Sequence, residues 1–469
     1  MADGERGSAF WLEVRRCLQL GGPLAIGELG WMSTYIVDAL MIGRLTNSAL
    51  VIGASGIGNT IYYGIVFFAI YLLNGLETIV SQAAGRDNRD ECVRITAQSM
   101  WIVLFGTPAV MLLTMGAVHA LPLFGVSQEL TDETNRYTRV LVWSTLPLML
   151  YMALRRLLQS INRVAFVSLS LVTAGAVNLL ADWLLIFGHW HLPALGLLGS
   201  GAATFVVRVW MLAVLLVGTR LALKQIDVRP TLAMLRPDAK RLKSLLRIGW
   251  PSGLQFSLEL GVSTFTTILC AKLSTLAVAS QQVALDLNAF VYMVPAGMSY
   301  AAMIRGGQAA GRNDLGSVKR ATNATLFATL SFTALTSALF LAIPQRLAAM
   351  YTNDPRVVAA ATPLFYISAL LVPLDALFVI QASAFTGLGD TRTPMWSSIV
   401  CNWMIGMPAA YYLGFPLGQG LLGLWAGRAI ASCTSAAVLS FFWWRRMRLE
   451  TRVGSPSLVL PLLAPSGAN

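Results

Sequence analysis

Gln82-Ala-Ala-Gly-Arg-Asp-Asn88 and Gln308-Ala-Ala-Gly-Arg-Asn-Asp314 are one heptapeptide written twice, 226 positions apart, with only the last two residues exchanged. The register continues through Arg94-Ile-Thr96 and Arg320-Ala-Thr322, and Pro147 and Pro373 stand at the same spacing. A further echo pairs Gly196-Leu-Leu-Gly199 with Gly420-Leu-Leu-Gly423. One match of seven residues could arise by chance. Three correspondences in the same order mark a duplicated unit.

Composition says what is duplicated. The 469 residues are 56% hydrophobic and 12% charged, with a mean hydropathy of +0.65. A soluble domain carries about 25% charged residues, so most of this surface must face lipid. A spanning helix needs about 20 mostly apolar residues. Twelve candidates fall between 17 and 444, among them 17–42, 52–81, 134–160 and 394–414. The expected fold class is an all-α membrane protein, twelve transmembrane helices in two six-helix repeats. Six is even, so both halves enter the membrane in the same sense, as parallel repeats.

The net charge of +12 follows membrane sidedness and not nucleic acid. With the N-terminus inside, the outer loops hold only Arg44, Arg136, Arg139, Lys272, Arg346 and Arg356. Arg208 and Arg428 fall within helices, and the rest of the 34 Lys and Arg lie on the inner side. The chain therefore reads as a cytoplasmic segment 1–16, an N-lobe 17–222, a cytoplasmic linker 223–244, a C-lobe 245–448 and a disordered cytoplasmic tail 449–469. The linker, KQIDVRPTLAMLRPDAKRLK over 224–243, is basic and broken by proline. Five cysteines at 17, 92, 270, 401 and 433 have no paired spacing, which argues against a disulfide framework or a metal knuckle. Residues 1–16 lack the apolar core of a cleaved signal, so the first span is expected to direct insertion.

Five stretches carry a family resemblance: Val37-Asp-Ala-Leu-Met-Ile-Gly-Arg44, Gln282-Val-Ala-Leu285 with Ile304-Arg-Gly-Gly-Gln-Ala-Ala-Gly-Arg312, Leu154-Arg-Arg-Leu-Leu-Gln159, and Phe385-Thr-Gly-Leu-Gly-Asp390. On them the sequence resembles the multidrug and toxic compound extrusion (MATE) family, nearest its NorM-like bacterial branch, over roughly 17–448. Ser280-Gln281 and Asp286 depart from the family pattern, which more often has Ala-His and Asn there. The resemblance implies a multidrug efflux antiporter, not an enzyme, exporting organic cations or amphiphilic drugs in exchange for inward Na⁺ or H⁺ by alternating access. It also implies a V-shaped bundle of two lobes. No cofactor is expected beyond the coupling ion, no metal beyond Na⁺, and no nucleic-acid partner. A monomer in the bacterial inner membrane is expected, with both termini cytoplasmic.

Ionisable groups at bilayer depth cost several kcal/mol, so each one that occurs is a functional candidate by default. Seven acids qualify: Glu28, Asp38, Glu77, Asp182, Glu259, Asp286 and Asp375. A residue the scaffold needs should recur in both halves, and Asp38, Glu259 and Asp375 do not. Asn178 and Asp182 are one turn apart on one helix face, at a depth similar to that of Asp38. Two carboxylates and an amide oxygen suit a small hard cation, or a proton shared between the acids. The family's N-lobe cation site has a matching Asp–Asn–Asp set. Glu259, eight residues after Pro251, and Asp375, two after Pro373, match its C-lobe site. The alternative for that pair is a partner in Arg428 or Lys272. By the resemblance Gln282 is an expected substrate or cation contact, as are Tyr35 and Tyr292. Glu28 either faces the cavity as such a contact or hydrogen-bonds between helices. Trp31, Tyr62, Tyr63, Phe256, Met293 and Trp403 are further aromatic or Met surface for flat cations. Glu77 is expected to pair with Arg86 or Arg89, Asp286 to sit at a solvated mouth, and Arg208 to neutralise an acid or bind a helix end. His189 and His191 read as an exposed turn.

Two other readings compete. A lipid-linked precursor flippase shares the architecture but would favour a basic cavity, whereas here acids outnumber the two arginines. An integral-membrane enzyme would need a constellation such as D-D-x-x-D or H-E-x-x-H, which the sequence lacks.

Overall fold

The computed structural model describes residues 2–45, 48–190, 193–228 and 231–452. A few side chains inside helices, Tyr35 among them, fall outside the described set, as do His191 and the tail from 453 onward. The described residues form helices joined by short turns, with no strand among them. The first half runs α1 (Ala2–Ile42), α2 (Ser48–Leu72), α3 (Asn74–Gly85), α4 (Arg89–His119), α5 (Gln128–Leu141), α6 (Thr145–Ser160), α7 (Val164–Phe187) and α8 (Leu197–Gln225). The second runs α9 (Ala239–Leu273), α10 (Thr275–Gly311), α11 (Leu315–Ala342), α12 (Pro344–Ala349), α13 (Pro355–Gly387), α14 (Arg392–Ser398), α15 (Met407–Gly414) and α16 (Gly420–Arg452).

Ten continuous segments among the described residues are long and apolar enough to cross a membrane, with α2–α3 counting as one and α5–α6 as another. Helix α1 and the α14–α15 stretch occupy the expected first and eleventh positions. The eleventh is not one regular helix. Ile399–Gly406 is a π-helix set between α14 and α15. A Cβ on Gly406 would lie 2.4 Å from that of Ala431, so the widened turn lies hard against α16.

The repeated heptapeptide proves to be a helix stop followed by a helix start. Asp87 and Asn313 adopt left-handed φ values of 57° and 56°, which Asp and Asn tolerate better than most residues. The amides of Asn88 and Asp314 return to the carbonyls of Ala83 and Ala309, each at 3.0 Å, closing α3 and α10. The same two side chains then cap α4 and α11 by accepting from the amides of Glu91 (3.1 Å) and Ser317 (2.9 Å). Asp and Asn can each do either job, so their exchange between the copies costs nothing.

The chain divides into two compact units, Ile26–Gly253 and Met1–Ala25 with Leu254–Asn469. This differs from a division at the 223–244 linker: the crossings fall inside α1 and α9. Each lies two residues after an intrahelical proline, Pro23 or Pro251, whose missing N–H breaks the hydrogen-bond ladder. In the second unit the start of α1 is fixed by Arg305, which grips Glu13 at 2.5 and 2.9 Å. It also packs so closely that a Cβ on Gly297 would lie 2.3 Å from Ala25 Cα. In the first unit the start of α9 is pressed on α2, where a Cβ on Gly249 would lie 1.8 Å from the Leu72 carbonyl oxygen. The linker docks on α4. Gln98 binds the carbonyls of Met234 (2.8 Å) and Arg236 (2.7 Å) and the amide of Asp238 (2.9 Å). Arg241 forks onto Glu91 with two contacts of 2.9 Å.

Candidate functional site

In the first unit, α1 and α7 bring together the three residues expected there. Asn178 donates its amide to Asp38 Oδ1 at 2.8 Å. Asp182 is fully buried, and neither of its carboxylate oxygens finds a donor; Asn178 Oδ1 is likewise unpartnered. Three oxygens are thus left without a donor, and a bare buried carboxylate is costly to hold. A proton bridging the two acids, or a small cation with oxygen ligands, would satisfy them.

Three other buried or half-buried charges of this unit, Glu28, Glu77 and Arg208, have partners on other helices. Glu28 is bound across helices by Arg155, the inter-helix alternative left open for it. Glu77 pairs with Arg156 at 2.5 Å, in place of Arg86 or Arg89, and the same guanidinium reaches the Ile70 carbonyl at 3.1 Å. Both arginines come from α6, across the bundle, where sequence spacing gives no hint of them. Arg208 forms no ion pair within 4 Å among the described residues. It donates to the hydroxyls of Ser144 (2.5 Å), Tyr62 (2.5 Å) and Tyr63 (3.1 Å), with the two tyrosine rings 5.1 and 5.9 Å away. Tyr62 and Tyr63 are thereby engaged with a protein cation.

The second unit contains a cavity of about 740 Å³ lined by α9, α10, α13, α16 and the α14–α15 region. Glu259 and Asp375 both line it, with Gln282, Tyr292, Phe256 and Met293. Glu259 Oε1 accepts from Gln255 Nε2 (3.0 Å) and Ser398 Oγ (3.1 Å). Asp375 Oδ1 accepts from Ser432 Oγ at 2.7 Å, and Arg428 stands 3.7 Å from its other oxygen. Asp375 therefore has the basic neighbour that the sequence left as an alternative; Glu259 forms no ion pair among the described residues. Gln282 donates to Asp286 at 2.8 Å, and Tyr351 donates to the same carboxylate. Trp403 donates to the Leu258 carbonyl at 3.2 Å, which holds the π-helix against α9.

Sequence reasoning missed Gln255, Ser398, Asn402 and Ser432. A signal existed for two of them. Ser398 and Asn402 are polar residues four apart in an otherwise apolar segment, and Asn402 donates to Ser398 at 3.1 Å. His189 stacks on Trp183 at 4.0 Å, and no group of three or more His, Cys, Asp or Glu among the described residues could hold a metal. All five cysteines are free.

An α-helical membrane bundle of two repeats, each with its own intramembrane acids, defines the class as a secondary transporter. The MatE family model matches twice in tandem, at residues 23–184 and 251–412, each match starting on the intrahelical proline. The chain is 29% identical over 454 residues to the "Probable multidrug resistance protein NorM" of Rhizobium meliloti, covering 94% of both proteins. It is 30% identical over 442 residues to the protein of the same name from Bradyrhizobium diazoefficiens, covering 91% of this chain and 92% of that one. Among solved structures, the eukaryotic MATE transporter AtDTX14 superposes with a TM-score of 0.81 at 19% identity, over 94% of this chain and 99% of that one. An outward-facing multidrug resistance MATE transporter gives 0.83 at 19%, over 94% and 96%. The chain belongs to the MatE family. It is a transporter and not an enzyme.

Proposed function

We propose that the protein exports organic cations and amphiphilic drugs across the bacterial inner membrane in exchange for inward Na⁺ or H⁺, with the two units doing different work. Asp38, Asn178 and Asp182 hold the coupling ion or proton in the first unit. Cations enter the cavity of the second, whose acidic lining is Glu259 and Asp375, with Gln282 and Tyr292 as contacts. The protein acts as a monomer, with both termini and the docked linker on the cytoplasmic side, where the positive charge gathers. The observation that carries the reading is Asp182, a fully buried acid with both oxygens unpartnered, one turn from an equally unpartnered amide oxygen.

Occupancy of that trio must differ between the inward- and outward-open states, because a ligand bound equally to both shifts nothing. Exchanging one monovalent drug for one inward cation moves no net charge, so the voltage term of about 2.3 kcal/mol per 100 mV cancels. The ion's own tenfold gradient then supplies about 1.4 kcal/mol. Efflux of a dye cation from proteoliposomes under imposed Na⁺ or pH gradients tests this directly. Gradient-driven efflux is expected, and dye movement indifferent to both gradients would refute antiport.

A further inference from the structure

One arginine–carboxylate pair in the helical core is unlike the others. Arg155–Glu28 and Arg156–Glu77 are contact pairs in which no side chain is more than 16% exposed. Arg428 and Asp375 are separated by 3.7 Å, with side chains 34% and 30% exposed, and both line the cavity. Asp375 is already served by Ser432 at 2.7 Å, and the guanidinium lies 5.6 Å from the ring of the buried Trp425. Arg428 and Ser432 are one turn apart on α16, so a single helix face presents both to the same carboxylate. Glu259, in the same cavity, accepts from the neutral Gln255 and Ser398 and forms no ion pair among the described residues. The third acid of the lining, Asp286, is engaged by Gln282 and Tyr351.

We infer that Arg428 is a tethered counter-cation for Asp375, leaving Glu259 as the carboxylate open to an incoming cation and setting the cavity's preference for monovalent over divalent organic cations. The inference rests on the cavity being the substrate site and says how that site discriminates. Three physical points support it. A guanidinium is not deprotonated in proteins, so the screening of Asp375 is permanent and does not come and go with pH. A loose, partly wet pair is held more weakly than a contact pair, so Arg428 can shift as a substrate enters without breaking a hydrogen-bonded fork. A dication entering the cavity meets one open carboxylate and one permanent positive charge, and that repulsion works against it. Specificity is often built from such an unfavourable term as much as from an attractive one.

The test measures binding of tetraphenylphosphonium, a monocation, and methyl viologen, a dication, to the full chain in nanodiscs. In Arg428→Gln, Asp375 is released, and the dication should tighten about tenfold more than the monocation. Arg428→Lys should keep the wild-type ratio. In Asp375→Asn the arginine loses its partner, and the monocation should weaken; adding Arg428→Gln to that variant should restore it. An unchanged dication-to-monocation ratio in Arg428→Gln would overturn the inference. If Arg428→Gln does not accumulate, equal monocation affinity in Asp375→Asn and in the Asp375→Asn, Arg428→Gln double variant overturns it instead. Glu259→Gln is read separately. If it leaves both probes binding as in the wild type, the cavity is not the cation site and the underlying reading fails, whatever Arg428 does.

Discussion

The two units carry acids in the same kind of scaffold but in opposite surroundings. In the first, Asp182 is wholly buried and Asn178 nearly so, both with unpartnered oxygens, and the amide nitrogen of Asn178 is on the half-buried Asp38. In the second, Glu259 and Asp375 line a cavity of about 740 Å³ and are dressed with amides, hydroxyls and one arginine. A closed cluster of oxygens admits a proton or a bare ion. An open acidic cavity with aromatic walls admits an organic cation, with flat faces for dispersion and cation–π contact. Duplication supplied two similar bundles, and on the proposed reading the acids that are not duplicated give them different work.

The contrast can be broken most sharply at Asp182. Asp182→Asn keeps the shape and removes the charge, so the protein should accumulate normally while gradient-driven efflux in proteoliposomes falls by about a hundredfold, the size of a lost transport-state interaction of nearly 3 kcal/mol. Drug binding without a gradient should survive. Glu259→Gln should show the reverse, with drug-cation affinity in a direct binding titration falling about tenfold or more as a charge-assisted contact is lost. A scaffold pair should affect neither. Arg156→Gln strands Glu77 inside the first unit and should lower stability by about 3–5 kcal/mol, read as a fall in the thermal midpoint that Glu77→Gln in the same chain repairs. The smallest effect is expected at Ser432→Ala, which removes one hydroxyl from Asp375 and should change monocation affinity by about two- to fivefold.

Much of this was legible because its causes are local. The heptapeptide ending at Asn88 and Asp314 encodes a left-handed residue and a helix cap in consecutive positions, so its recurrence exposed the repeat. Asn178 and Asp182 could be set on one face because helical spacing alone does that. What spacing does not encode is which helix lies opposite. Glu28 and Glu77 were therefore not matched to Arg155 and Arg156, and Arg208 was not matched to the hydroxyls of Tyr62, Tyr63 and Ser144. The π-helix at Ile399–Gly406 escaped for the same reason, since Gly406 is required by Ala431 on another helix. Pro23 and Pro251 stood in the sequence at matching positions, but their meaning, the points just before α1 and α9 pass between units, depends on packing.

The central claim is that the closed trio senses the ion and the open cavity holds the drug. It is tested most directly by titrating one drug cation against the full chain, across pH and Na⁺ concentration, in the wild type, Asp38→Asn and Glu259→Gln. Wild-type affinity should depend on pH or on Na⁺, because the ion and the drug favour different states. Asp38→Asn should bind the drug within about threefold of the wild type at low ion occupancy and lose that dependence. Glu259→Gln should bind weakly and keep it. The opposite pattern, with Asp38→Asn retaining the full dependence and Glu259→Gln abolishing it, would move coupling to the second unit and contradict the account.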